Sequence, residues 1–281
     1  MQLMPLHSRR PLAATDGASD TSEPLLTRLA DRIRQFGCLF IFFGVAVAAN
    51  LGSYVLSAMV RNRISAEQWQ KTIGRLFQVA LFLFARTGVL KLEIQDREIL
   101  QGVKGCIVAA NHPALIDAVI LLSLLPSTVC IMRADLARNP AYSSLARLAG
   151  YVTNDSGLAL VREGSKRIQS GQNLLIFPEG TRTTDLLPVN TFKKGFSLLA
   201  THARTPIQTV FIEREGAYFS KAVGMFGVPH FPIQMKIRAG ALIEPREGES
   251  AGQLAARMEE YFRLHLVNDG HNVRYRDPSV I

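Results

Sequence analysis

Cysteine is scarce in this chain of 281 residues: Cys38, Cys106 and Cys130 are the three present. None forms a C-x-x-C pair, and two sit in apolar runs. This argues against a disulfide framework or a zinc site and predicts buried free thiols in a reducing compartment. Acidic residues are also in deficit, with 23 Asp and Glu against 32 Lys and Arg and a net charge of +9. Such a balance suits anionic lipid headgroups, an acidic carrier protein or a nucleic acid. The basic residues are scattered and no nucleic-acid fold signature accompanies them, so no nucleic-acid partner is expected. No internal repeat is evident. The first long apolar run starts only near residue 36 with no cleavage site behind it, so it does not read as a signal peptide.

What is present divides the chain into three parts. Residues 1–24 are polar, Ser/Thr-rich and unpatterned, and are expected to be disordered. Residues 25–89 hold two apolar stretches. The first, 36–60, carries no charge, and as a helix it would be ~37 Å long; a bilayer's hydrocarbon core is about 30 Å thick. Gly37, Gly44, Asn50, Gly52 and Ser53 dilute it. Arg28, Arg32 and Arg34 precede it, and Arg61, Arg63, Lys71 and Arg75 follow, a symmetry that gives no orientation by the positive-inside rule. The second stretch, 76–85, is too short to span alone. It reads either as the second arm of a membrane-embedded helical hairpin or as a core helix of the domain that follows.

From residue 90 onward short strand patterns alternate with helix patterns. Strands are predicted over 92–94, 106–110, 129–132, 174–177, 206–212 and 234–237. Helices are predicted over 114–125, 143–148, 157–169, 195–202 and 251–267. This alternation argues an α/β fold over 90–281, with a mostly parallel or mixed sheet flanked by helices. Loops at the carboxyl ends of the strands are then the expected place for chemistry.

Two such loops carry it. The run Asn111-His112-Pro113-Ala114-Leu115-Ile116-Asp117 places a histidine five positions ahead of a carboxylate, just after a buried strand. Pro113 is suited to a first helical position. Asp117 can hold one imidazole nitrogen while the other faces a substrate, which is the logic of an oriented general base. The alternative is an acid favoured by the helix dipole beside an unrelated loop histidine. The second loop, Pro178-Glu179-Gly180-Thr181-Arg182, follows the strand ending at Phe177. Glycine allows close backbone approach and arginine offers a planar fork for phosphate or carboxylate. An ordinary Pro/Gly turn with solvated charges is its plainer reading.

Together, and in this order, the two loops resemble the N-H-x-x-x-x-D and F-P-E-G-T-R motifs of the PlsC-like glycerolipid acyltransferases. The resemblance runs from about Lys104 to about Glu213. Met132-Arg133-Ala134-Asp135-Leu136 through Pro140 looks like that family's K-x-E-L…P segment, Phe192-Lys193-Lys194-Gly195 like its F-K-K-G, and 205–212 like its late strand. The chain departs in two places. Thr209 stands where the family has a second proline, and Ser156 stands where it has the arginine of G-x-I-F-I-x-R. In the family that arginine is thought to help hold the acceptor phosphate; here Arg162 lies six residues on.

The resemblance implies a glycerol-3-phosphate acyltransferase-like fold with an N-terminal membrane-embedded hairpin, on the cytoplasmic face of the inner (plasma) membrane. It implies transfer of a fatty-acyl group from an acyl-CoA or acyl carrier protein thioester to a hydroxyl of a lysophospholipid such as 1-acylglycerol-3-phosphate. His112 would be the base and Asp117 its orienter. Glu179, Gly180, Thr181 and Arg182 would bind the acceptor, with the Gly180 N–H as the donor to the developing oxyanion. Lys193 and Lys194 would contact a phosphate of the donor, or else lie solvated at a helix start. Membrane lipids and the acyl donor are the expected partners; no metal or bound cofactor is expected. His202 and His265 read as structural. A specialised acceptor outside the glycerophosphates, and a catalytically silent lipid-binding protein on the same fold, are the alternatives. A hydrolase using His112 with water is a third, which no residue decides.

Overall fold

The computed structural model describes residues 25–59, 64–139, 143–154, 157–184, 187–215, 219–221, 227 and 231–268. The segment 1–24 expected to be disordered, the linking residues 60–63, and Asp155 and Ser156 lie outside the described residues. In chain order the strands are β1 (Leu90–Ile94), β2 (Ile107–Ala110), β3 (Thr128–Met132), β4 (Val152–Thr153), β5 (Asn173–Ile176), β6 (Ile207–Glu215) and β7 (Ile233–Ile243). The helices are α1 (Leu25–Met59), α2 (Ala66–Arg86), α3 (Arg97–Gly102), α4 (Asp117–Leu124), α5 (Ala134–Arg138), α6 (Ser143–Leu148), α7 (Gly157–Gln169), α8 (Gly195–Ala203) and α9 (Ala251–Asn268).

The strands form one sheet in the order β1-β7-β6-β2-β5-β3-β4. All neighbours are parallel except β6 and β7, which run antiparallel, so the sheet is mixed and mostly parallel as its sequence pattern predicts. The central strands β2 and β5 are buried at every position, because helices cover both faces. On one face Val108, Ala110, Leu175, Val210 and Ile212 pack with Leu81 and Phe84 of α2 and Ile120 and Leu121 of α4. On the other, Ile107, Ala109, Leu174 and Phe211 pack with Leu160 of α7, Phe196 and Leu199 of α8 and Phe262 of α9.

For the second apolar stretch the structure takes the core-helix reading. Trp69, Ile73, Ala80, Leu81 and Phe84 of α2 are buried, and the α/β unit therefore takes in α2 rather than starting at residue 90. Ser65 caps this helix reciprocally with Gln68, satisfying two otherwise unpaired N–H groups.

The first stretch lies within the 35-residue helix α1, which is long and apolar enough to cross a membrane by length and composition. One side of it is seated on protein. Asp31, Gln35, Cys38, Leu39, Asn50 and Ser53 are buried, at the spacing of a single helix face. Asn50 Oδ1 accepts the backbone N–H groups of Ser144 and Leu145 at 3.1 and 3.2 Å, and so caps α6. Ser53 Oγ lies 2.8 Å from Ser144 Oγ. The polar residues that interrupt the apolar run are its docking points. On the opposite side Leu25, Leu29, Ile33, Phe36, Phe40, Val47, Leu51 and Tyr54 form an exposed stripe at helical spacing.

The shorter elements β4, α3 and α5 have no counterpart in the sequence pattern. Each is six residues or fewer, too short for a hydrophobic period to register.

Candidate active site

β2 ends at Ala110, and Asn111 then ties its exit to the next strand. Its Nδ2 donates to the Ile212 carbonyl at 2.7 Å, and its Oδ1 accepts the Ile212 N–H at 2.8 Å. The side-chain amide thereby mimics one more residue of β ladder and fixes where His112 leaves the sheet.

The helix predicted from Ala114 instead begins at Asp117, a correction with a physical reason. Residues 114–116 form a turn, and Asp117 Oδ2 accepts the Ala114 N–H at 2.7 Å across it. The same oxygen lies 2.8 Å from His112 Nδ1. A continuous helix would have put the two side chains on different faces. In this arrangement the wholly buried Asp117 meets an imidazole that is 18% exposed. Phe177 stacks on that ring, with centroids 4.1 Å apart and planes 20° from parallel. The opposite ring nitrogen, Nε2, has no hydrogen bond among the described residues. Burial pushes the Asp117 carboxyl above its ordinary value; bonds from His112 and Ala114 and the charge of Arg214 pull the other way.

β5 lies beside β2, so the Pro178–Arg182 loop emerges next to His112. Two of its residues make internal contacts that the sequence does not predict. Glu179 is turned inward. It is buried, with Oε1 accepting His112 N–H at 2.9 Å and Thr183 Oγ1 at 2.7 Å, and Oε2 accepting Asn190 N–H at 2.9 Å. It is an internal brace, and burial raises its carboxyl above the ordinary value against those three bonds. The Gly180 N–H is not a free oxyanion donor, since it closes a turn onto the Phe177 carbonyl at 2.9 Å. Gly180 itself is required by its φ of +67° and by Lys193, whose side chain lies within 2.8–2.9 Å of where a Cβ would stand.

Arg182 directs Nη1 to the carbonyls of Phe219 and Ser220, at 3.0 and 2.8 Å, which pins the segment following β6. Its Nε and Nη2 have no partner among the described residues. The Thr183 N–H donates to the His112 carbonyl at 2.7 Å, so the histidine is held through its backbone on both sides. Thr181 is half-buried between Gly180 and Arg182.

The two lysines separate. Lys193 crosses the glycine of the loop, whereas Lys194 lies beside Gly252 of α9. Arg162 is exposed and paired with Glu163 at 3.2 Å. His202 is exposed in the last turn of α8, and His265 is structural: its Nδ1 bonds the Tyr261 carbonyl at 2.8 Å and its ring stacks on Phe211. Thr209 occupies a bulge between β6 and β7, where its hydroxyl donates to the Ala241 carbonyl at 2.8 Å. No group of three or more potential metal ligands occurs among the described residues.

Asn190 and Glu259 were missed from the sequence. Asn190 accepts from Thr184 N–H and Oγ1 and donates to the Arg182 carbonyl, and Glu259 of α9 accepts the Phe192 N–H at 2.8 Å. Nothing in their local sequence distinguishes them from ordinary polar surface residues.

The described residues thus form an α/β unit with a His–Asp pair at the carboxyl edge of its sheet, held by the Pro178–Arg182 loop. Residues 91–213 match the family model described as Acyltransferase. It is 27% identical over 140 residues to human 1-acyl-sn-glycerol-3-phosphate acyltransferase beta, covering 47% of this chain and 49% of that protein. Over 119 residues it is 31% identical to 1-acyl-sn-glycerol-3-phosphate acyltransferase of Helicobacter pylori, covering 38% of this chain and 47% of that one. The chain spans about half the length of these relatives. The crystal structure of the 1-acyl-sn-glycerophosphate (LPA) acyltransferase PlsC from Thermotoga maritima shares the fold, with a TM-score of 0.64 at 21% identity over 84% of this chain and 96% of that one.

Proposed function

We propose that this chain is an O-acyltransferase that moves a fatty-acyl group from an acyl-CoA or acyl carrier protein thioester to a hydroxyl of a lysophospholipid such as 1-acylglycerol-3-phosphate. The observation that carries this reading is the His112–Asp117 contact of 2.8 Å, with the opposite ring nitrogen unbonded beside the Gly180–Arg182 loop. Asp117 fixes the Nδ1-protonated tautomer. His112 Nε2 takes the acceptor's hydroxyl proton as its oxygen attacks the thioester carbonyl. The carbon–oxygen bond forms, the carbon–sulfur bond breaks, and the imidazolium returns its proton to the departing thiolate. No acyl-enzyme is required, and the serine of the Gly248-Glu249-Ser250-Ala251-Gly252 stretch is an exposed residue that caps α9 by accepting the Gln253 N–H at 3.3 Å, not a nucleophile elbow. Arg182 Nε and Nη2 would donate to an anionic acceptor, with Lys193 crossing the same loop at Gly180. No bound cofactor or metal enters the reaction.

The exposed stripe of α1 is the surface proposed to sit in lipid, and Val79 and Phe82 of α2 are exposed as well. A chain of net charge +9 is drawn to the anionic cytoplasmic face of the inner membrane. Ser156 favours a second reading of the acceptor: a specialised lipid without a glycerophosphate.

The test is acylation of lysophosphatidic acid, and in parallel of a total lipid extract, from labelled acyl-CoA and acyl carrier protein. Wild type is run beside His112→Ala. Transfer to lysophosphatidic acid that His112→Ala abolishes supports the first reading. Transfer only within the extract selects the second, and no transfer by folded protein refutes both.

A further inference from the structure

Asp117 is wholly buried, yet only one of its oxygens is hydrogen-bonded. Oδ2 takes both His112 Nδ1 and Ala114 N–H, and Oδ1 has no hydrogen-bond partner among the described residues. A half-satisfied carboxylate in such a place falls back to its neutral form unless a charge compensates it. A neutral acid cannot stabilise the imidazolium that base catalysis creates.

β6 supplies a charge. Val210 and Ile212 of this strand face the same cluster as Ala114, Ile116 and Ile120, which surround Asp117 in sequence. Side chains alternate along a strand, so Arg214 lies on that face too, two positions beyond Ile212 toward the carboxyl edge. Its pair across the ladder, Met235, belongs to the cluster as well. The bonds between Asn111 and Ile212 lock this part of β6 to the exit of His112. The charge of Arg214 acts on Asp117 from there, against the effect of burial.

We propose that Arg214 is a positioning residue of the dyad, whose fixed positive charge keeps buried Asp117 ionised so that Asp117 can orient His112 and stabilise its protonated form. Arginine suits this role because it stays charged at every working pH. Among the described residues the charged groups that act on Asp117 are His112 from the β2–α4 loop and Arg214 from β6; beyond His112 stands Glu179 from the β5–α8 loop. The effect on turnover rests on the acyl-transfer reading, whereas the charge coupling does not.

The test is a histidine NMR titration of the detergent-solubilised full chain, with the His112 signal assigned by its loss in His112→Ala. When the His112–Asp117 pair gives up its proton it becomes net negative, a form that a neighbouring cation favours. Removing the cation with Arg214→Gln should therefore raise the pair's apparent pKa, by about one to three units. Arg214→Lys should stay close to wild type. The acid limb of kcat should move up by the same amount as the titration, with the acceptor KM unchanged. A folded Arg214→Gln with the wild-type titration overturns the proposal. So does a raised acceptor KM without a titration shift, which would assign Arg214 to the acceptor instead. If the glutamine variant does not fold, Arg214→Met is read in the same way. A shifted titration in a protein that transfers no acyl group supports the Arg214 assignment and refutes only the functional reading.

Discussion

Glu179 Oε1 accepts the backbone N–H of His112 at 2.9 Å, across 67 residues of sequence. This bond, with the Thr183 N–H on the His112 carbonyl, joins the two sequence motifs into one object. It predicts that Glu179→Gln acts through the scaffold. Glu179 accepts three hydrogen bonds on two oxygens, and glutamine replaces one oxygen with a donor that must face a donor. An unmade bond at a buried site costs about 1–3 kcal/mol. Thermal unfolding should show that loss, and kcat should fall because His112 is less firmly placed, while the acceptor KM changes little. A large KM effect at full stability would return Glu179 to acceptor binding.

His112→Ala should leave the fold intact. Its ring is partly exposed, and both backbone bonds to Glu179 and Thr183 survive the truncation. A positioned base is worth about a hundredfold to ten-thousandfold, so turnover should drop by at least the lower figure. Wild-type turnover in this variant would remove the dyad from the mechanism.

Much of this site was legible because its chemistry is local. A strand, a histidine and a carboxylate five positions later lie within one supersecondary unit, and their meeting needs only a turn between them. The role of Glu179 was not legible, because its three donors come from His112, Thr183 and Asn190 and are brought to it by the pairing of β2 with β5. The same holds for the Gly180 N–H, whose partner is a carbonyl set by turn geometry. In α1, apolar content read as lipid contact, while Asn50 and Ser53 read as dilution. Only tertiary packing reveals that they cap and hold α6.

That seat of α1 is testable. Asn50→Leu removes the acceptor for two N–H groups at the start of α6 while keeping the helix apolar. Losing such a cap costs about 0.5–2 kcal/mol. We expect faster proteolysis at the start of α6, near Ser143–Leu145, and a lower unfolding midpoint, with membrane binding retained through the exposed stripe. Unchanged protease sensitivity would mean that α1 does not hold α6 in place.

Asn111→Ala should be the costliest change outside the dyad. It leaves the Ile212 N–H and carbonyl unpaired in a buried part of the sheet, each at about 1–3 kcal/mol. It also frees the exit of β2, so activity should fall further than stability alone accounts for. Activity measured below the unfolding midpoint separates the two: residual turnover equal to the folded fraction would contradict a positioning effect.

Asp117→Asn should exchange activity for stability, in a way that pH exposes. Burial raises the Asp117 carboxyl above its ordinary value of 3.8. At the acid end of the range both the folded and unfolded chains hold the proton. As pH climbs past 3.8 the unfolded chain releases it first, so the folded state binds the extra proton and stability falls through that window. Above the folded value the penalty is complete and constant. Asparagine does not titrate, so the variant should match wild type most closely in acid and gain on it as pH rises toward neutral. Turnover should meanwhile drop by about a hundredfold, because a neutral amide neither fixes the histidine tautomer nor stabilises its protonated form. Denaturant unfolding at several pH values, paired with activity at neutral pH, checks both halves. A variant that is less stable than wild type at neutral pH would show that the ionised carboxylate is a net stabiliser of the fold, and the predicted sign would be wrong.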